Sequence, residues 1–206
     1  GRRAMSRLEA ERQWLALHEA SGGRMCPHIF RLAGIYGPGR SALRTVTQLL
    51  ATAPTQISAS PPTAISGTGS APTPNFVSRC HVDDIVRLLD ASMSAPFYDP
   101  LMATCNVADD EPAPRAEVLE YAAGMVLGGE VGPPSVVALE ALALEENERA
   151  RRRSRENKRV SNARMRKLLA AQGGILFPTF REGLQAVAES EGPEGHLEPG
   201  AVSNGI

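Results

Sequence analysis

RLAGIYGPGR, running from Arg31 to Arg40, carries an apolar segment into a glycine-proline turn and ends on an arginine. His28 to Tyr36 is mostly apolar without strict alternation, the pattern of a strand buried on both faces of a parallel sheet. Pro38 fixes its own φ, and Gly37 and Gly39 remove side chains around it, so the strand delivers a stiff loop to a cleft. Ser41 is placed to cap a helix over Ala42–Leu50.

Upstream, Arg2–Glu19 is rich in helix formers, with Met5, Leu8 and Leu15 and the neighbouring Trp14 and Leu17 giving a broad apolar face. Ser21, Gly22 and Gly23 stop that helix. Downstream, residues 53–74 are proline, serine, threonine and glycine with almost no charge, a composition that predicts a flexible loop. Phe76–His81 reads as a short extended segment, Val82–Met93 as a helix, and Met102–Ala108 as a strand ending in the acidic turn Asp109-Asp110-Glu111-Pro112. Arg115–Leu127 is helical, and a helical stretch begins at Ser135. The basic segment Arg149–Arg159 continues into Asn162–Ala171, which Gly173-Gly174 ends. Ile175–Pro178 is expected as a short strand, Thr179–Ser190 as a last helix, and the tail over 191–206 as disordered.

The 206 residues carry a formal charge of −1 and are 42% hydrophobic, ordinary values for a globular protein. No global field draws in nucleic acid or an acidic membrane, and no stretch approaches the roughly 20 apolar residues that span a bilayer. Cys26, Cys80 and Cys105 are odd in number and widely spaced, so a disulfide framework and a zinc ribbon are both unsupported, and a soluble protein of a reducing compartment is expected. Gly1 is read as the start of an incomplete amino terminus, which leaves targeting undefined. Lysine occurs only at Lys158 and Lys167, which limits any lysine catalyst to two positions.

Five segments in order, RLAGIYGPGR at 31–40, SRCHVDDIV at 78–86, NVADDEPAP at 106–114, KRVSN at 158–162 and FPTFREGL at 177–184, resemble the second half of an extended short-chain dehydrogenase/reductase. Within that superfamily the chain is most similar to an atypical NAD(P)-dependent epimerase/dehydratase-like branch. The resemblance implies an α/β fold: the C-terminal part of a doubly wound, parallel-sheet, Rossmann-like domain over 1–110, followed by a small, mainly helical substrate lobe over 111–190. It further implies NAD or NADP as cofactor and a small molecule as substrate, with a homodimer allowed and neither nucleic acid nor membrane as partner. Tyr36, Gly37, Pro38 and Gly39 would form the loop beside the nicotinamide. Arg40 would offer a planar donor to a phosphate or carboxylate, with Arg79, His81, Lys158 and Arg159 as further substrate contacts.

The chain departs from the family's pattern at two places. The glycine-rich dinucleotide loop is missing: Gly34, Gly37 and Gly39 have the wrong spacing for it. The Tyr-x-x-x-Lys pair is missing too, because Tyr36 is followed four residues on by Arg40, Tyr98 by Met102 and Tyr121 by Met125. Aligning the first helix on the glutamate that usually follows the pair puts Arg3 and Arg7 at the tyrosine and lysine positions, and arginine stays charged near neutral pH. The catalytic residue is therefore unassigned, and a non-catalytic NAD(P)-binding sensor of the same fold stands beside the enzyme.

Competing readings are weaker. His81, Asp83 and Asp84 lie close enough to invite a metal, but adjacent aspartates point in different directions, and either one is placed to cap the following helix, so no metal is expected. The arginine that grips the nucleotide phosphate in sugar-nucleotide epimerases, four residues before this histidine, is Val77 here. Asn147–Arg166 has basic-zipper spacing, but Gly173-Gly174 and Pro178 leave no room for the apolar heptads such a helix needs. No Gly-x-Ser-x-Gly elbow or Gly-x-x-x-x-Gly-Lys loop occurs.

Overall fold

The computed structural model describes residues 2–52, 75–94, 103–128 and 157–192. The loop expected over 53–74, most of the helical and basic stretch from Ser135, and all but the first two residues of the tail expected over 191–206 lie outside the described residues; Glu191, expected in that tail, instead ends the last helix, with Gly192 at its cap.

The α/β class with parallel strand pairing is the one observed. In chain order the elements are α1 (Arg2–Ala20), β1 (Ile29–Leu32), β2 (Gly34–Tyr36), α2 (Ala42–Thr52), β3 (Phe76–Val77), β4 (Arg79–His81), α3 (Val82–Met93), β5 (Thr104–Val107), β6 (Ala113–Pro114), α4 (Arg115–Val126), α5 (Ala163–Leu169) and α6 (Phe180–Glu191).

The strand expected over 28–36 is divided at Ala33, where it changes partner. β1 pairs in parallel with β5, Ile29 opposite Thr104, and β2 pairs in parallel with β4, Tyr36 opposite His81. The exchange takes place between consecutive amides: Ala33 N–H donates to Val107 O at 3.0 Å and Gly34 N–H to Ser78 O at 3.1 Å. Successive N–H groups of a strand point to opposite sides, so one residue is enough to move the chain from one neighbour to the other. Asp109 N–H then reaches Arg79 O at 2.7 Å, tying the end of β5 to the start of β4. The segment expected over 76–81 is likewise divided at Ser78, with β3 pairing antiparallel to β6.

Two apolar clusters flank this junction. Tyr36, the α2 residues Leu43 and Val46, Leu119 and Ala122 of α4, and Phe180 and Leu184 of α6 form the first. Cys80, Leu88, Cys105, Val107, Met165 and Leu169 form the second. Each fully buried large side chain is worth roughly 1.5–3 kcal/mol, so α2, α4 and α6 are held chiefly by packing. Burial raises the Cys80 thiol to about 12 and the Cys105 thiol to about 11, which keeps both protonated and inert.

The apolar face of α1 behaves differently. Met5 and Trp14 are 63% and 56% exposed, and the helix is tied to the sheet by Arg31, whose guanidinium donates through Nε and Nη2 to both carboxylate oxygens of Glu11. Two other expectations are corrected. Residues 175–178 form no strand: the Leu176 and Phe177 amides are bonded to a side chain, leaving no ladder to join. The helix expected from Asn162 begins at Ala163 with Asn162 at the cap position, but the Asn162 side chain turns away to Ala108 O, Asp109 O and Asp110 Oδ1.

Candidate functional site

The carboxyl ends of β2 and β4 lie side by side and launch the Gly37–Arg40 turn and α3. Gly37 and Arg40 bond each other in both directions, N–H to O, at 3.1 and 3.0 Å. Pro38 and Gly39 occupy the two central positions, and Gly39 has φ +72°, as a type II turn requires of its third residue. The remaining amide, Gly39 N–H, donates to Glu191 Oε1 at 2.5 Å, and Gly39 O accepts from Arg44 at 3.1 Å. Ser41 caps α2 as expected, its hydroxyl accepting the Arg44 N–H.

Gly37 is small because of the protein itself. A Cβ there would lie 2.6 Å from Cγ1 of Val82, the first residue of α3, which packs against the turn. The turn is a rigid wall whose amides are all engaged. Arg40 projects from it, exposed, and its guanidinium makes no hydrogen bond among the described residues.

Behind the turn sits a buried polar group of residues. His81 is 2% exposed and caps α3: its Nδ1 accepts the Asp83 N–H at 3.2 Å, which puts the proton of the neutral ring on Nε2. This corrects the expectation that Asp83 or Asp84 would cap the helix. Burial lowers the pKa of His81, so the ring stays neutral. The Tyr36 ring meets it edge-on at 5.2 Å and the Phe177 ring lies 4.3 Å away. The Tyr36 hydroxyl, His81 Nε2 and both Asp109 oxygens are buried and lack a hydrogen bond of good geometry among the described residues. Burial pushes Tyr36 far above the ordinary phenol range, with the Asp109 charge adding to it. Burial also raises Asp109 to about 7, opposed by the guanidinium and backbone of Arg79.

Arg79 is turned inward, donating to Val77 O and Ala113 O at 2.9 Å each, and its burial lowers its pKa. The backbone of Lys158 extends this edge, donating to Phe76 O and accepting from Ser78 N–H, while the Arg159 guanidinium stacks 3.8 Å over the Phe76 ring. The ten-residue motif and β4 thus bring Tyr36 and His81 together, whereas Arg79, Lys158 and Arg159 gather around β3.

Three features of the site were not foreseen. Asp84, 1% exposed, accepts Leu176 N–H at 2.7 Å and Phe177 N–H at 3.0 Å, and Arg87 holds Gln172 O and Gly174 O of the same loop. Gly183 of α6 lies against Tyr36, where a Cβ would come within 2.0 Å of the hydroxyl. Arg181 bridges Glu111 and Glu117, and Arg166 grips Asp110, holding the acidic turn from both sides. A glycine inside a helix, costly without a packing reason, was the one visible signal.

Among solved structures, the chain is similar to a functionally unknown conserved protein from Silicibacter pomeroyi, at 33% identity over 89% of this chain and 54% of that one, with a TM-score of 0.58. It is also similar to a Methylobacillus flagellatus protein provisionally described as an NAD-dependent epimerase/dehydratase, at 24% identity over 89% of this chain and 51% of that one, with a TM-score of 0.46. The chain therefore spans about half the length of each of these structures. No protein-family model and no curated protein matches it. By fold the chain is an α/β protein built on parallel strand pairs. No helix among the described residues is long and apolar enough to cross a membrane.

Proposed function

We propose that this chain is the carboxyl-terminal part of an NAD(P)-dependent epimerase/dehydratase-like oxidoreductase, supplying the wall beside the nicotinamide and part of the substrate pocket. The observation that carries this reading is the parallel β2–β4 pairing, which sets Tyr36 beside His81 at the strand ends where the Gly37–Arg40 turn departs. Ligands of open parallel sheets bind outside the carboxyl ends of the strands, where this turn lies. The turn suits a cofactor as a rigid surface rather than as a source of amide donors, since its own amides are engaged. Arg40 is the group left to bind an oxyanion of cofactor or substrate. The dinucleotide, when bound, supplies reversible redox chemistry at its nicotinamide ring. This chain's residues position it: Tyr36 and His81 stay neutral behind the turn, which offers a fixed surface.

A complete unit has further sheet and helix against α1 and β1. In support, Met5, Trp14 and Leu32 are exposed, and β1 has one strand partner among the described residues.

The second reading, a non-catalytic NAD(P)-binding sensor, draws support from the missing Tyr-x-x-x-Lys pair and from Tyr36, whose buried phenol stays protonated. Titration of the full-length gene product with NADH and NADPH, followed by absorbance assays with candidate sugars and hydroxy acids, separates the two. Binding with turnover supports the oxidoreductase, binding without turnover the sensor, and absence of binding overturns both.

A further inference from the structure

A cavity of about 330 Å³ opens on the β1–β5 pair away from the Gly37–Arg40 turn, lined by Arg31, Thr104, Asn106, Ser161, Ala163 and Arg164. The register places Arg31 opposite Asn106, and Thr104 lies two residues from Asn106 on the same face of β5. Its walls hold two guanidinium groups and two hydroxyls, and no carboxylate lines it. Arg31 is already matched by Glu11, which is not a lining residue. Arg164 has no acidic partner among the described residues. One of its nitrogens donates to Thr104 O at 2.6 Å, which fixes the planar fork at the wall and leaves its other donors unspent. Asn106 spends its amino group on Ser161 O at 3.2 Å, so its carbonyl oxygen stays an acceptor. The Ser161 and Thr104 hydroxyls are not engaged with described residues.

An unmatched guanidinium held by a backbone carbonyl beside free hydroxyls, with no carboxylate among the lining residues, is the chemistry that recognises an oxyanion, and the Asn106 carbonyl adds an acceptor for a neighbouring hydroxyl. We infer that this cavity binds a small hydroxylated molecule through its phosphate or carboxylate group, with Arg164 as the principal contact and Ser161 and Thr104 as supporting donors. This site is separate from the turn and independent of the proposed cofactor reading. KRVSN, a motif the proposed function leaves largely unused, contributes Ser161 to it.

Titration of the isotope-labelled full chain with inorganic phosphate and, separately, with acetate, each at ionic strength matched by chloride, tests the assignment by amide and arginine side-chain NMR. The expected result is saturable shifts at Ser161, Arg164 and Asn106 with one of the two anions, weakened at least tenfold in Arg164→Gln and reduced in Ser161→Ala, with Arg40→Gln behaving as the parent. Preference for phosphate or for acetate identifies the ligand's headgroup. Shifts that also appear with chloride, that persist in Arg164→Gln with the fold intact, or that centre on Arg40 would overturn the proposal.

Discussion

The buried carboxylate of Asp84 holds the backbone of Phe177, accepting its N–H at 3.0 Å and that of the preceding Leu176 at 2.7 Å. Through this bond a residue at the start of α3 sets the position of the ring that packs on His81. Asp84→Ala leaves two amides without a partner and is expected to destabilise the fold by about 3 kcal/mol, with Asp84→Asn costing less because one acceptor remains. Urea unfolding of the two variants checks the order. Equal midpoints for parent and Asp84→Ala would contradict this role of Asp84.

Gly183 leaves room for the Tyr36 hydroxyl and nothing larger. Gly183→Ala forces α6 away from the sheet and is expected to cost about 1–3 kcal/mol, as overpacking does. Tyr36→Phe removes a buried hydroxyl that has no partner, so alone it should be neutral or stabilising, and in the double variant it should restore part of the loss. A double-mutant cycle by thermal unfolding measures the coupling.

Asp109 predicts an inverted pH dependence. Its folded-state pKa of about 7 stands above the ordinary 3.8, so the native chain keeps a proton that the unfolded chain releases. Its contribution is complete below about pH 4 and is lost as pH rises toward about 7, up to roughly 4 kcal/mol in all. Asp110 and Glu11, whose pKa values are lowered by their arginine partners, act in the opposite sense. The informative quantity is therefore the difference between parent and Asp109→Asn, followed by denaturant unfolding from about pH 4 to about pH 8. The variant should gain relative stability as pH rises, and a constant difference would refute the assignment.

The two glycines of the turn are required for different reasons. Gly39→Ala meets open space but must hold φ +72°, a cost of about 1 kcal/mol. Gly37→Ala collides with Val82, so Val82→Ala should rescue it and should leave Gly39→Ala unchanged. Melting temperatures of the four variants distinguish the two mechanisms.

Much of the fold was legible because it is written locally. The apolar run before Gly37, the cap at Ser41 and the periodicity of α2, α3 and α6 each have a short-range cause. What was not legible depends on residues far apart in the chain. The break at Ala33 follows from Val107 and Ser78 competing for consecutive amides, and the missing strand at 175–178 from a carboxylate some 90 positions upstream, at Asp84. Nothing local to the turn reveals that Val82 packs against Gly37. The sequence offers Arg79 as a substrate contact and Asp109 as part of an acidic turn, and only the bond from the end of β5 to the start of β4 brings the two together.

In the proposed function the Tyr36–Arg40 turn faces the nicotinamide of a bound dinucleotide. Crystals of the full-length gene product soaked with NAD or NADP test it most directly. The nicotinamide ring is expected to pack against Pro38 and Gly39, with Arg40 turned toward a neighbouring oxyanion. A cofactor bound with its nicotinamide remote from residues 36–40, or a saturated soak that leaves the protein empty, would contradict it.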